Sequence, residues 1–258
     1  MALINANGLN LRVNDFSEAD RYVSTLTADH GLIEVYARGA RRSKSALLKG
    51  TEIFTLSSYV LFEKNERFTV NTASFIEGFI GLQNDLTALT CAAHLAEVWL
   101  TVAQPGVPLP ELYTLAVYTL HALSIGKRDP LAIVRACEVR VLGDSGFAMP
   151  LDRCGVCGVE LSEDDKMTFS YALSGPLCCR SACRQKVLEH ARYEGPSSIE
   201  LSRGTRRALS YFLTAPLNQL YNFVLTESIA KELDWFVPRY LEDRMERAFH
   251  KLDFLQKL

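Results

Sequence analysis

The stretch Arg21 to Gly50, RYVSTLTADHGLIEVYARGARRSKSALLKG, carries two β-type segments, a tight turn between them and a run of cations after them. Residues 21–28 and 32–38 are rich in Val, Ile, Leu, Tyr and Thr, and Asp29-His30-Gly31 reads as a hairpin turn with Gly31 supplying positive φ. Working outward, Asn10 to Phe16, Ile53 to Glu63 and Phe68 to Gly78 have the same character, and Asn65-Glu66-Arg67 connects the last two. Five short antiparallel strands within residues 1–80 predict a small closed barrel of the oligonucleotide/oligosaccharide-binding (OB) kind, which removes most exposed edges. Other five-stranded barrels and an open sheet satisfy the same periodicity.

The basic run then falls between the third and fourth strands. Arg38, Arg41, Arg42, Lys44 and Lys49 occur there without an acidic residue, although the whole chain has a net charge of -2. Cations segregated on a Gly-, Ala- and Ser-containing loop attract a polyphosphate through counterion release, whereas the bland reading of the same loop is a solvated surface. Tyr36 and Tyr59 are the nearby aromatic residues that are candidates for base stacking, set against the commoner role of strand tyrosines in packing.

From Asp85 the period changes to that of helices, giving a second region over residues 81–258. Leu86, Leu89, Ala93 and Ala96 begin a helix capped by Asn84 or Asp85, Pro108 and Pro110 open the next, and a third follows Asp129-Pro130. Cys91 and Cys137 lie on apolar faces and read as core residues. Further helices are expected after Ser202, with Arg203, Arg206 and Arg207 on one polar side, and from Glu227 or Pro238 to the terminus.

The other five cysteines are clustered in an insertion at about residues 150–190. Cys154-Gly-Val-Cys157 is a knuckle that places two thiolates on one side of a turn, and Cys183 pairs with Cys178 or Cys179 as the second half. Four cysteine ligands, Cys154, Cys157, Cys183 and Cys178 with Cys179 as its alternative, leave no position open for water, so the expected cofactor is a structural zinc ion. A reduced, metal-free thiol cluster is the competing reading.

The composition, 48% hydrophobic and 22% charged, suits a globular chain of two or three small domains. The apolar run from Thr87 to Ala103 is interrupted by His94 and Glu97, no secretory signal is visible, and a cytoplasmic address is expected. There is no Walker loop, GxSxG elbow or HExxH motif, and His30, His94, His121, His190 and His250 are scattered, so a non-enzymatic role is expected.

Two ordered sets of residues resemble the bacterial recombination mediator family RecO. The first is Tyr22 to Ser45, with its strand, hairpin glycine and G-A-R-R-x-x-S loop; the second comprises Glu138, Arg140, Leu142, Gly146, Pro150, Leu151, Cys154, Cys157 and Gly158, followed by Ser174-Gly175-Pro-Leu-Cys178. The resemblance extends over nearly the whole chain, with the last cysteine pair stretched relative to the family's usual C-x-x-C. It implies an N-terminal OB barrel, a helical domain with an inserted zinc knuckle, and a DNA recombination and DNA damage repair role. It further implies binding of single- and double-stranded DNA, strand annealing, and loading of RecA on strands coated by single-strand binding protein (SSB) together with the partner RecR, in association with the nucleoid. An alternative from another class is a protein-docking adaptor whose barrel is only a scaffold.

Overall fold

In the computed structural model, residues 2–162, 167–190 and 198–257 are described. The chain divides into two compact units, one made of residues 1–130 and 249–258 and the other of residues 131–248.

The first unit is built on β1 (Ala2–Phe16), β2 (Asp20–Thr27), β3 (Gly31–Ala37), β4 (Leu56–Lys64) and β5 (Arg67–Glu77), which close into a barrel in the order β1-β2-β3-β5-β4. All neighbours are antiparallel except β3 and β5, which meet in parallel at Val35↔Phe68 and Tyr36↔Thr69. Closure is possible because β1 serves two partners: its first half pairs with β4, its second with β2, and a bulge between Asn10 and Arg12 bends it from one to the other. Alternation then sends Val23, Val35, Ala37, Leu61, Val70 and Ala73 into a common core.

Turn chemistry fixes the register. Gly31 takes φ +62° and a Cβ there would stand 2.0 Å from the Val107 carbonyl oxygen, so both conformation and space require glycine. Asn65 and Glu66, at φ 51° and 61°, turn β4 into β5 with Lys64 opposite Arg67. Two strand limits differ from the sequence reading by more than one residue. β1 begins at Ala2, because residues 2–9, with the polar segment NANG among them, are paired with β4 rather than exposed as a loop. β4 begins at Leu56 instead of Ile53, because Phe54 adopts φ 53° and leaves the extended region.

Helices α1 (Leu86–Val102) and α2 (Pro110–Ile125) complete this unit. The Asp85 carboxylate accepts from the Thr87 and Ala88 N–H groups and caps α1, while Gly126 at φ 66° ends α2. Phe249 returns to the same unit, where its ring meets His94 edge-on.

The second unit holds α3 (Pro130–Leu142), α4 (Ser181–His190), α5 (Arg203–Thr214) and α6 (Glu227–Met245). It also contains a three-stranded sheet, β7-β6-β8, formed by β6 (Met167–Ser170), β7 (Gly175–Leu177) and β8 (Ser198–Leu201). Strands this short carry almost no period, so the purely helical expectation for this region missed them. α6 continues through Pro238 and stops where Glu246 turns left-handed, short of the terminus. Cys91 and Cys137 are fully buried in their helices. Among the described residues, no helix is long and apolar enough to cross a membrane.

Candidate nucleic-acid interface and metal centre

The segment between β3 and β4 is a chain of tight turns, with Arg42 N–H donating to the Gly39 carbonyl, Ser45 N–H to Arg42 and Leu48 N–H to Ser45. The turns make the basic run a hydrogen-bonded path anchored at both ends. Arg38, Arg41, Arg42, Lys44 and Lys49 are all exposed along it. Arg41 is tied to the rest of the barrel, through Asp15 at 3.3 Å and the Ser17 carbonyl at 2.8 Å. Among the described residues, no carboxylate forms an ion pair with Arg42, Lys44 or Lys49.

The loop's entry is held by Asp20. One carboxylate oxygen accepts from the Tyr36 hydroxyl at 2.5 Å and the other from the Gly39 N–H at 2.7 Å. The Tyr36 hydroxyl, then the Gly39 amide, hold the Asp20 carboxyl below the usual carboxylate range, and the same bond raises the Tyr36 phenol.

The loop's exit is held by Asn10, which is fully buried at the β1 bulge. Its amide nitrogen donates to the carbonyls of Gly50 and Glu52, at 3.0 and 2.9 Å, and its carbonyl oxygen accepts from the Thr25 hydroxyl at 3.0 Å. The Tyr59 hydroxyl lies 2.7 Å from that oxygen and 2.8 Å from the Gly50 carbonyl. Gly50 fits because a Cβ there would stand 2.5 Å from the Ala73 carbonyl oxygen. Tyr59 is therefore core: it is fully buried, burial pushes its phenol up to about 12, and it presents no face to a base. Tyr36 remains available at the surface, in contact with Tyr22 and Phe16.

A groove beside the β3–β5 seam is lined by Tyr22 and Tyr36 at one side and by Asp29, Glu34, Glu63 and Glu66 elsewhere. With Arg67 as the one arginine among these four carboxylates, the groove disfavours a phosphate chain along its length.

In the second unit, the thiol sulfurs of Cys154, Cys157, Cys178 and Cys183 all lie within 4.8 Å of one another, while Cys179 is exposed and outside the group. The knuckle is a tight turn: Cys154 N–H donates to Val159, Gly158 N–H donates to Cys154, and Gly158 sits at φ 70°. Gly155 N–H reaches the Pro176 carbonyl and so ties the knuckle to β7. The long spacing of the other half has a structural reason. Cys178 follows the end of β7 and Cys183 lies in the first turn of α4, so the intervening residues turn the chain from strand to helix.

This donor set fits zinc. Cys157 and Cys178 sulfurs are 3.7 Å apart, against the roughly 3.8 Å that Zn–S bonds of about 2.3 Å impose on a tetrahedron. Burial opposes ionisation of Cys154, but backbone N–H groups of Cys157, Cys178 and Val156 outweigh it and lower the thiol to about 6. Burial, then hydrogen bonds with the Cys178, Cys157 and Cys154 thiols, pushes Cys183 up to about 12. Arg206, expected on a polar surface, is buried and donates to the Ser162 and Leu161 carbonyls at 2.5 and 3.3 Å, holding the end of the knuckle segment onto α5.

Sequence reading did not find Asn10 and Asp20. Their partners lie up to 49 residues away, and no local pattern distinguishes them from surface polar residues.

Comparison with known proteins gives two family matches: residues 1–79 match the N-terminal model of recombination protein O, and residues 83–253 match its C-terminal model. The chain is 34% identical to DNA repair protein RecO of Acetivibrio thermocellus over 258 residues, covering 100% of this chain and 98% of that protein. It is 29% identical to DNA repair protein RecO of Symbiobacterium thermophilum over 259 residues, covering 100% and 98% of the two.

Proposed function

The chain belongs to the recombination protein O family of DNA repair proteins, and from that premise we propose that it is a non-catalytic recombination mediator whose barrel, of the OB kind, binds DNA through its cationic loop. The observation that carries this reading is the set of exposed cations, Arg38, Arg41, Arg42, Lys44 and Lys49, strung between two hydrogen-bonded anchors. Annealing requires no bond-making in the protein. It requires that phosphates on two strands be neutralised so that their bases can meet, and fixed cations on a turn-built loop do this without reading sequence. The ring order β1-β2-β3-β5-β4 supports the OB assignment, because it gives a closed sheet with the long loop leaving β3 at one end.

The wider role follows from the family: binding of single- and double-stranded DNA, annealing of complementary strands, and loading of RecA on SSB-coated strands together with RecR, in the cytoplasm at the nucleoid. The cysteine quartet holds a structural zinc ion that staples the knuckle to β7 and α4. Purified protein is expected to anneal complementary oligonucleotides, bare and coated with SSB, in the absence of nucleotide. Failure to bind or anneal any oligonucleotide would replace this reading with that of a protein-docking adaptor.

A further inference from the structure

We propose that Phe16, Tyr22 and Tyr36 form a base-stacking surface beside the cationic loop, so that the polymer gripped there is a single strand in preference to a duplex. The inference rests on the loop reading above and adds the substrate class to it.

Strand alternation decides which way the rings point. Val23, Val35 and Ala37 are fully buried in the barrel core, so their chain neighbours Tyr22 and Tyr36 stand on the outer face. These two are direct partners across β2 and β3, and their rings lie 5.2 Å apart at 40°. Phe16, from the end of β1, sets its edge against both, at 5.3 and 6.5 Å. It nevertheless remains 53% exposed, and it has no polar atom to offset contact with water.

The rings and the cations are fixed to each other. Asp20 binds the Tyr36 hydroxyl and the Gly39 amide with its two oxygens, so one carboxylate positions both an aromatic face and the root of the loop. The acidic turn between β1 and β2 is largely compensated, with Asp15 facing Arg41 and Arg21 and Asp20 engaged as above, leaving Glu18; the carboxylates of the groove that Tyr22 and Tyr36 also line, Glu34 among them, keep phosphates on the loop and leave the rings to bases. A strand with its phosphates at Arg38, Arg41 and Arg42 can lay an unpaired base on these rings, whereas the bases of a duplex are already stacked and present no internal face. Aromatic stacking tolerates any base, as an annealing protein requires.

The test uses the full-length chain and three fluorescent probes: an oligothymidine, the abasic strand of the same length, and a duplex. Phe16→Ala is expected to weaken oligothymidine binding roughly tenfold, the loss of one stacked base, while abasic and duplex affinities change less than about twofold. Phe16→Trp is expected to restore binding, with its emission quenched by oligothymidine and not by the abasic strand. Unchanged oligothymidine affinity in Phe16→Ala, or an equal loss on all three probes, overturns the stacking surface. A triple variant Arg41→Ala, Arg42→Ala, Lys44→Ala measured in parallel separates the two claims: full affinity there refutes the loop, while a defect there with a silent Phe16→Ala refutes only the rings.

Discussion

In the barrel, the charged groups stand in solvent while the neutral groups that position them, Asn10 and Tyr59, are buried. In the second unit the relation is reversed: the reactive groups themselves, Cys154, Cys178 and Cys183, are buried and their framework is a pair of short backbone turns. The difference is the one expected if the loop takes a polyanion and the quartet a metal cation. A polyanion arriving from solvent needs exposed charge on a stable base, so the cost of burial falls on uncharged hydrogen-bonding groups that can be satisfied internally. A resident cation needs converging donors shielded from water, and buried thiols of this kind would rely on such an ion to balance their charge.

The largest expected effect breaks the metal half of this comparison. Cys178→Ser is expected to abolish bound zinc, measured by elemental analysis, and to unfold the knuckle locally, since metal supplies on the order of 10 kcal/mol to comparable modules. Cys179→Ser is expected to retain the metal, because Cys179 lies outside the quartet. If the two substitutions act alike, the geometric distinction between them is wrong.

The next tests the buried support of the loop. Asn10→Ala leaves the Glu52 carbonyl and the Thr25 hydroxyl without their partner, while the Gly50 carbonyl keeps the Tyr59 and Ser57 hydroxyls, and is expected to cost about 3 kcal/mol in denaturant unfolding. Tyr59→Phe removes one bond and is expected to cost about 1 kcal/mol near neutral pH. It also changes the alkaline limb. Burial raises the Tyr59 phenol from 10.0 to about 12, so its stabilisation is complete below pH 10 and is lost as pH climbs through 12. The phenylalanine variant is expected to lack that segment of the pH–stability curve.

The smallest effect concerns the loop's entry. The lowered Asp20 carboxyl stabilises the fold above the ordinary carboxylate range and loses that contribution as pH falls through its folded value. Asp20→Asn is expected to flatten this acid dependence and to speed amide exchange at Gly39, with global stability nearly unchanged. Slow exchange at Gly39 in that variant would remove Asp20 from the anchoring of the loop.

What the sequence disclosed follows the range of the interactions involved. The hairpin at Gly31, the cap at Asp85 and the knuckle at Cys154 are local, because each is decided by residues within a few positions, and each is visible in the chain. The same holds for the cations, which are adjacent in sequence. Asn10 and Asp20 are invisible because their function is to close contacts across the barrel, and Tyr59, for which packing is the commoner reading of a strand tyrosine, is placed in the core by the β4 register. The choice of Cys178 over Cys179 lay beyond spacing rules for a related reason: the strand-to-helix turn decides which thiol points at its partners. The β6–β8 sheet escaped because three or four residues do not establish a period.

The central claim, that charge on the β3–β4 loop grips a polyanion, is tested most directly by the salt dependence of single-strand binding. Affinity of the native chain for an oligothymidine is expected to fall linearly on logarithmic axes with salt. The slope is expected to drop by about 2 when Arg41, Arg42 and Lys44 are replaced together by Ala, at roughly 0.7 for each phosphate that is no longer neutralised. A slope and an affinity unchanged by the triple substitution would contradict the account.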